Sequence, residues 1–294
     1  MNAGRLAAAV LPRPAIDALR ALWHRAQALN PRLLRRRRLF RRLNRGAGAG
    51  EMTLRPGLRL AVDREARESF EWFCHRSLEM AEELDAFLAG CRGRHRFLDV
   101  GACHGLFSLA FTAGRADAEA VAVEPSPLAW EVLASSLRLN GGARVTPVQA
   151  AVGAAPGTLT MRYSWHHLEA SPGAAGDPAA VEVPLRTLDL LCDELGFHPD
   201  LVKIDVEGYE LAVLRGALRL LAAGRPVVFL EIHPQRIAEL GGSLAEIAAL
   251  FAELGYRIFD LRGRPLSPAR FAARRAVSRL ICRPAMEKSG SALK

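Results

Sequence analysis

From Arg96 onward, short apolar runs alternate with stretches whose apolar positions recur at helical spacing. Arg96–Val100 predicts a strand, followed by a Gly-containing turn and a helix over Leu106–Ala113. Ala120–Glu124 predicts a second strand and Pro127–Leu139 a helix, with Pro at its start and Asn140-Gly141 after its end. Val145–Ala150 is a third strand, Thr158–Tyr163 an added hairpin strand, and His166–Ala180 a loop rich in Gly, Ala and Pro. Thr187–Leu195 reads as a helix stopped by Gly196, Leu201–Asp205 as a fourth strand, and Tyr209–Ala222 as the helix after it. Pro226–Ile232 has the continuous apolar character of a buried parallel strand. Leu244–Leu254 is a helix, Tyr256–Leu261 a sixth strand and Arg279–Arg283 a seventh. Such alternation predicts an α/β fold: a Rossmann-like, seven-stranded, mainly parallel sheet with helices on both faces. No internal repeat is visible.

The first 95 residues have a different texture. Ala15–Leu29 can form an amphipathic helix, which Asn30-Pro31 is expected to interrupt. Arg35–Arg38, Arg41, Arg42 and Arg45 follow, interleaved with Leu33, Leu34, Leu39, Phe40 and Leu43, and Gly46–Gly50 reads as a linker. Phe70–Leu88 has helical periodicity and many glutamates. The expected organisation is a basic arm over 1–50, in which disorder is one reading, then a helical preamble or lid over 51–95. A catalytic domain over 96–284 and a tail over 285–294 complete it.

Composition sharpens the view of the arm. The 294 residues carry a formal net charge of +9, yet residues 1–50 hold twelve arginines against one acid, Asp17. The remainder is close to neutral. Lysine occurs only at Lys203, Lys288 and Lys294, a bias that weakens any argument placing each arginine on a phosphate. The five cysteines form no CxxC pair, so neither a disulfide framework nor a zinc site is implied. No apolar run approaches the roughly 20 residues of a membrane span, and Leu6–Leu11 is too short an apolar stretch for a signal peptide. The expectation is a cytoplasmic protein, with peripheral contact at the inner face of a membrane open to the arm.

The first strand ends in Asp99-Val100-Gly101-Ala102-Cys103-His104-Gly105, a turn whose glycines let a ligand approach the backbone. The second ends in Glu124, whose carboxylate can accept from both hydroxyls of a ribose. A dinucleotide favours G-x-G-x-x-G, which cradles a pyrophosphate. Here Gly101 and Gly105 are separated by three residues, and Asp99 would repel a pyrophosphate while suiting an ammonium. The charge argument favours S-adenosyl-L-methionine over NAD. Asp99, Gly101, Ala102, Gly105 and Glu124, with Ala151 after the third strand, are the candidate cofactor residues.

The set Phe97–Ala102, Val123-Glu124-Pro125, Leu188-Asp189, Val202–Glu210, Val213–Ala217 and Leu230–Pro234 resembles the FkbM family of methyltransferases, in family order over about residues 97–284. The Lys203-Ile204-Asp205-Val206-Glu207-Gly208-Tyr209-Glu210 block is the most specific piece. The resemblance implies methyl transfer from S-adenosylmethionine, often to a hydroxyl of a sugar or natural product. Cys103 departs from the Asn usual in the family, and the first 50 residues lie outside the likeness.

Methyl transfer is an in-line displacement that needs alignment and, for an alcohol, removal of a proton. The candidate catalytic residues are Asp205, Glu207 and His233. Asp205 or His233 could act as base. A divalent metal held by Asp205, Glu231 and His233 is an alternative, with no metal ligand assigned. The competing reading has Glu207 and Glu210 favouring the N-terminus of the next helix, with Lys203 paired to a carboxylate; it is the preferred one for Glu210 and not for Glu207. His166 and His167 read as loop histidines, Asn140 as a helix C-cap only, and Tyr209 and Leu214 as core packing. The expected partner is a small-molecule or glycoconjugate acceptor. An RNA methyltransferase or nucleic-acid-binding protein using the arm is the alternative, and the near-neutral body speaks against it. A catalytically inactive fold used for membrane association or assembly is a third.

Overall fold

A computed structural model of the chain describes residues 30–46, 48, 50–76, 78–142, 144–164, 167–172 and 180–285. The helix expected over Ala15–Leu29, and His166, lie outside the described residues. Asn30-Pro31 starts the first described helix. The Asn30 side chain accepts from Arg32 N and Pro31 occupies the first turn of α1 (Pro31–Leu43). The arginine run is therefore helical, anchored by buried Leu33 and Phe40. The preamble is not all helix: an antiparallel hairpin of β1 (Glu51–Arg55) and β2 (Leu58–Ala61) precedes it. The single helix expected over Phe70–Leu88 is two, α2 (Arg64–Arg76) and α3 (Leu78–Gly90).

The central sheet is built from β3 (Arg96–Val100), β4 (Glu119–Val123), β5 (Val145–Val148), β10 (Leu201–Ile204), β11 (Val227–Ile232), β12 (Tyr256–Asp260), β13 (Pro265–Leu266) and β14 (Ser278–Pro284). Its order is β13-β12-β14-β11-β10-β3-β4-β5. The run from β11 to β5 is parallel, and β14 inserts in reverse between β11 and β12. This is the Rossmann-like α/β arrangement the alternation predicts. It has eight strands rather than seven, because Asp260 accepts from Arg262 N and Arg264 N and folds the chain back as β13.

Two cores flank the sheet. On one face α2, α3, α4 (Leu106–Thr112) and α5 (Pro127–Leu139) pack over Phe97, Ala120, Ala122 and Phe229. Phe87 of α3 is its centre, with ring centroids 4.9 Å from Phe97 and Phe107 and 5.6 Å from Phe229. A fully buried Phe of this kind stabilises the fold by about 1.5–3 kcal/mol. On the other face Leu98, Val100, Val202, Ile204 and Leu230 meet α6 (Leu188–Leu195), α7 (Glu210–Arg215), α8 (Pro234–Glu239), α9 (Leu244–Glu253) and α10 (Pro268–Ala272). Leu214 is fully buried there, as expected for core packing.

Several boundaries moved for physical reasons. The helix expected over Tyr209–Ala222 stops at Gly216, where a Cβ would lie 2.1 Å from Gly153 O. Asp189 then accepts from the backbone of Arg219 and Leu220, starting a separate π-helical turn over Leu220–Gly224. The third strand ends at Val148, and the chain continues as β6 (Ala151–Val152) in a second sheet. With β7 (Gly157–Ser164), β8 (His167–Pro172) and β9 (Ala180–Arg186), it forms the order β6-β9-β7-β8. Part of the loop expected over His166–Ala180, including His167, is thus strand. Asn140 is more than a C-cap: its amide donates to Ala61 O at 2.7 Å and to Ser136 O at 2.8 Å, and its oxygen accepts from Ala61 N at 2.9 Å. It ties the hairpin to α5. Asn140→Ala is expected to destabilise the protein by about 1–3 kcal/mol, read as a lower urea midpoint. A loss below about 0.5 kcal/mol, the level of an ordinary surface change, would contradict this tie.

Candidate active site

The site forms where the parallel strands end. A cavity there is walled by Val100, Ala150, Val152, Leu159 and Met161, and is edged by Gly101, Glu124, Ala151, Asp205, Glu207 and Tyr209. The second sheet supplies Leu159 and Met161, a contribution with no signal in the strand-end motifs. Tyr209 borders the cavity instead of the core, because the chain turns sharply just before it.

Two loops meet beneath the cavity. Gly101 has φ +81°, and a Cβ there would lie 1.9 Å from Asp205 O. Only glycine lets the β3 turn lie against the β10 turn. Each loop also holds a non-glycine residue in left-handed backbone, Cys103 at φ 50° and Glu207 at φ 52°, a strain that gathers at functional sites. Gly101 N and Ala102 N both donate to Val123 O. Glu124 accepts from Cys103 N and Ser126 N, each at 2.8 Å, which fixes its carboxylate at the cavity edge. Burial lifts Glu124, against those two hydrogen bonds, to about 7.

Of the six candidate cofactor residues, Gly101, Glu124 and Ala151 border the cavity; Asp99, Ala102 and Gly105 do not. Asp99 shares the face of Phe97 rather than the cavity side, because side chains alternate along a strand. It is 1% exposed and accepts from Ser108 Oγ at 2.7 Å. Burial raises it, and Lys203 and Ser108 pull it back, to about 6. Ala102 packs into the α4 core. Gly105, at φ +87°, begins α4, and a Cβ there would meet Leu133 at 2.7 Å. These three shape the turn.

The three candidate catalytic residues do come together. Lys203, almost fully buried in β10, donates to Asp205 at 2.9 Å. Burial alone would raise Asp205, but the charges of Lys203 and then His233 hold it at about 2. His233 follows β11 and is 7% exposed. Its Nδ1 lies 2.7 Å from Glu210 Oε1, and its Nε2 lies 3.2 Å from Glu207 Oε2 and 3.8 Å from Glu231 Oε1. Burial disfavours the imidazolium. The Glu210 hydrogen bond and the charges of Glu207 and Asp205 outweigh that and raise His233 above its ordinary value. Glu210, whose Oε1 also accepts from Gly208 N, is therefore turned inward onto the histidine besides standing in the first turn of α7. Behind this group, Arg279 of β14 pairs with Glu83 at 2.7 Å and Glu231 at 2.6 Å. Glu83 and Arg279 are partners that sequence reasoning did not anticipate; they come from α3 and β14, far apart in the chain.

Asp205, Glu231 and His233 can each offer one ligand atom within 4.8 Å of the others. Lys203 and Arg279 already neutralise the two carboxylates, and this arrangement holds the trio together by its own charges. All five cysteines are free.

The family model described as "Methyltransferase FkbM domain" matches residues 99–258. The chain is 29% identical to methyltransferase sdnD of Sordaria araneosa, covering 40% of this chain and 59% of that one. It thus spans less than two thirds of that curated relative. Among solved structures it is similar to methyltransferase FkbM from Methylobacillus flagellatus (21% identity, TM-score 0.40, 64% of this chain and 43% of that one). A putative O-methyltransferase from Nostoc punctiforme is another likeness (15% identity, TM-score 0.40, 74% and 58%).

Gly101→Ala is expected to disrupt the joint between the two loops. Backbone cannot yield at a 1.9 Å approach, so stability should fall by at least the 1–3 kcal/mol typical of overpacking, measured by denaturant unfolding. Ala102→Gly, next to it, should cost less.

Proposed function

This chain belongs to the FkbM methyltransferase family, and on that premise we propose that it methylates a hydroxyl of a sugar, glycoconjugate or related small molecule with S-adenosylmethionine as donor. The observation that carries the donor side is the apolar cavity at the sheet end with the fixed, buried Glu124 carboxylate on its edge. Its residues fit the group. Glu124 has oxygen lone pairs left for ribose hydroxyls, and Val100, Ala150, Val152, Leu159 and Met161 would take the apolar face of an adenine. S-adenosylmethionine bound there supplies an electrophilic methyl on a sulfonium.

On the acceptor side, His233 is the base. Glu210 holds Nδ1, which directs Nε2 toward Glu207 and the cavity edge. An acceptor hydroxyl that displaces the Glu207 carboxylate from Nε2 gives its proton to Nε2, and its oxygen becomes the nucleophile. Glu207, once displaced, accepts from a neighbouring hydroxyl of the acceptor and orients it. Asp205, locked to Lys203, remains a carboxylate across the working range; its role is to hold the loop and favour positive charge beside it. The reading thus gives Asp205 a positioning part and leaves proton transfer to His233.

Calorimetry with S-adenosylhomocysteine tests the donor side. Binding is expected, and it should weaken about tenfold between about pH 8 and about pH 6, as the Glu124 carboxylate takes up a proton near 7. Glu124→Gln should bind weakly with a flat pH response; unchanged binding in Glu124→Ala would sink the assignment. His233→Ala should leave that affinity intact and lower the turnover of an accepted alcohol by about 10²–10⁴-fold. Wild-type turnover in that variant would remove His233 as base.

A further inference from the structure

We propose that the outward face of α1 docks on an anionic phospholipid bilayer, with an arginine-lined pocket at its N-terminal end receiving a phosphate head group. The inference stands apart from the methyl-transfer reading. Arg32, Arg35, Arg38, Arg41, Arg42 and Arg45 are all exposed, and none has an acidic partner among the described residues. Many arginines of the body do meet an acid. Arg55 pairs with Asp85, Arg96 with Glu119, Arg215 with Glu246, Arg219 with Asp193 and Arg279 with Glu83. A compositional bias toward arginine would act on both sets alike. By itself it does not gather six exposed guanidinium groups on one helix face that carries no acid.

The helix is presented rigidly. Leu33 and Phe40 are buried on its inner side, and Arg36 is drawn in to Asp85 and to Ala81 O. The outer side carries no acid, and Leu39 stands among the arginines 45% exposed. Clustered cations around an exposed leucine suit a head-group layer, where charge meets phosphate and the apolar tip enters the acyl boundary. At the N-terminal end, Arg32 and Arg35 converge with Arg262, from the turn before β13, around a pocket also lined by Asn30, Pro31 and Leu78. Arg262 keeps Glu82 as a partner at 3.2 Å and lends its charge to the pocket rim. The positive end of the helix dipole points the same way. A single-stranded RNA would want aromatic platforms between the cations, and the one aromatic of α1, Phe40, faces inward.

Co-sedimentation of the full chain with vesicles decides the matter. Vesicles in which phosphatidylglycerol replaces part of the phosphatidylcholine should bind the protein, pure phosphatidylcholine vesicles should not, and salt should weaken the binding. The triple variant Arg35→Gln/Arg38→Gln/Arg42→Gln should lose roughly 100-fold in apparent affinity. Arg32→Gln/Arg262→Gln should lose part of it. Both should keep the wild-type unfolding midpoint and S-adenosylhomocysteine binding, since these side chains lie away from the cavity. If one variant fails to fold, the other decides. Equal binding to neutral vesicles, undiminished binding by the variants, or retention of single-stranded RNA by a protein that ignores vesicles would each overturn the proposal.

Discussion

Lys203 sits in the middle of the sheet, one residue short of the end of β10, with almost no access to water. Burial works against its charge, and the charges of Asp205, Glu83 and Asp99 outweigh burial and keep it protonated. Its ammonium also lies 4.7 Å from the centre of the Phe107 ring. In return, Lys203 allows carboxylates to stand at the strand ends in a region that would otherwise force them neutral. The ionised Asp205 follows from that cation, and Asp205 in turn adds to the charges that raise His233. Removing it would leave several buried acids without compensation, a far larger effect than the loss of a single hydrogen bond.

The two sides of the proposed site, donor and acceptor, are governed by different physics. The donor side is a backbone construction: Gly101 lies against Asp205 O, Val123 O takes two amide donors, and Glu124 is held by the amides of Cys103 and Ser126. The acceptor side is a charge construction, in which Glu207 and Glu210 grip His233 while Arg279 ties Glu231 to Glu83. The first tolerates little change of shape. The second tolerates little change of charge, and its proton positions depend on every member.

The N-terminal segment extends this division outward. α1 is held on the domain by apolar burial and one inward ion pair. Its exposed arginines, which have no acidic partner among the described residues, face away and add surface charge at little cost to the fold. Such a surface matters for where the protein binds. Among the described residues no helix is long and apolar enough to cross a membrane.

The sequence by itself determined the alternation of the central strands and helices from Arg96 onward, the turns at Asp99–Gly105 and Glu124, and the block from Lys203 to Glu210. Each is local: apolar period, a cap, or a glycine at a turn. Pro127–Leu139 was legible to the residue because Pro127 and Asn140-Gly141 mark its ends. Only the tertiary structure decided which way each polar side chain points. Asp99 reads as a ligand residue in the sequence, yet strand alternation turns it under the sheet. Glu210 reads as a helix-end charge, and the approach of His233 from β11 makes it the partner of an imidazole. Glu83 and Arg279, nearly 200 positions apart, meet beside Glu231 because α3 crosses the face on which β14 lies. Periodicity reports which side of one element is apolar; it carries no information about which polar group from a distant element will arrive to neutralise a buried charge.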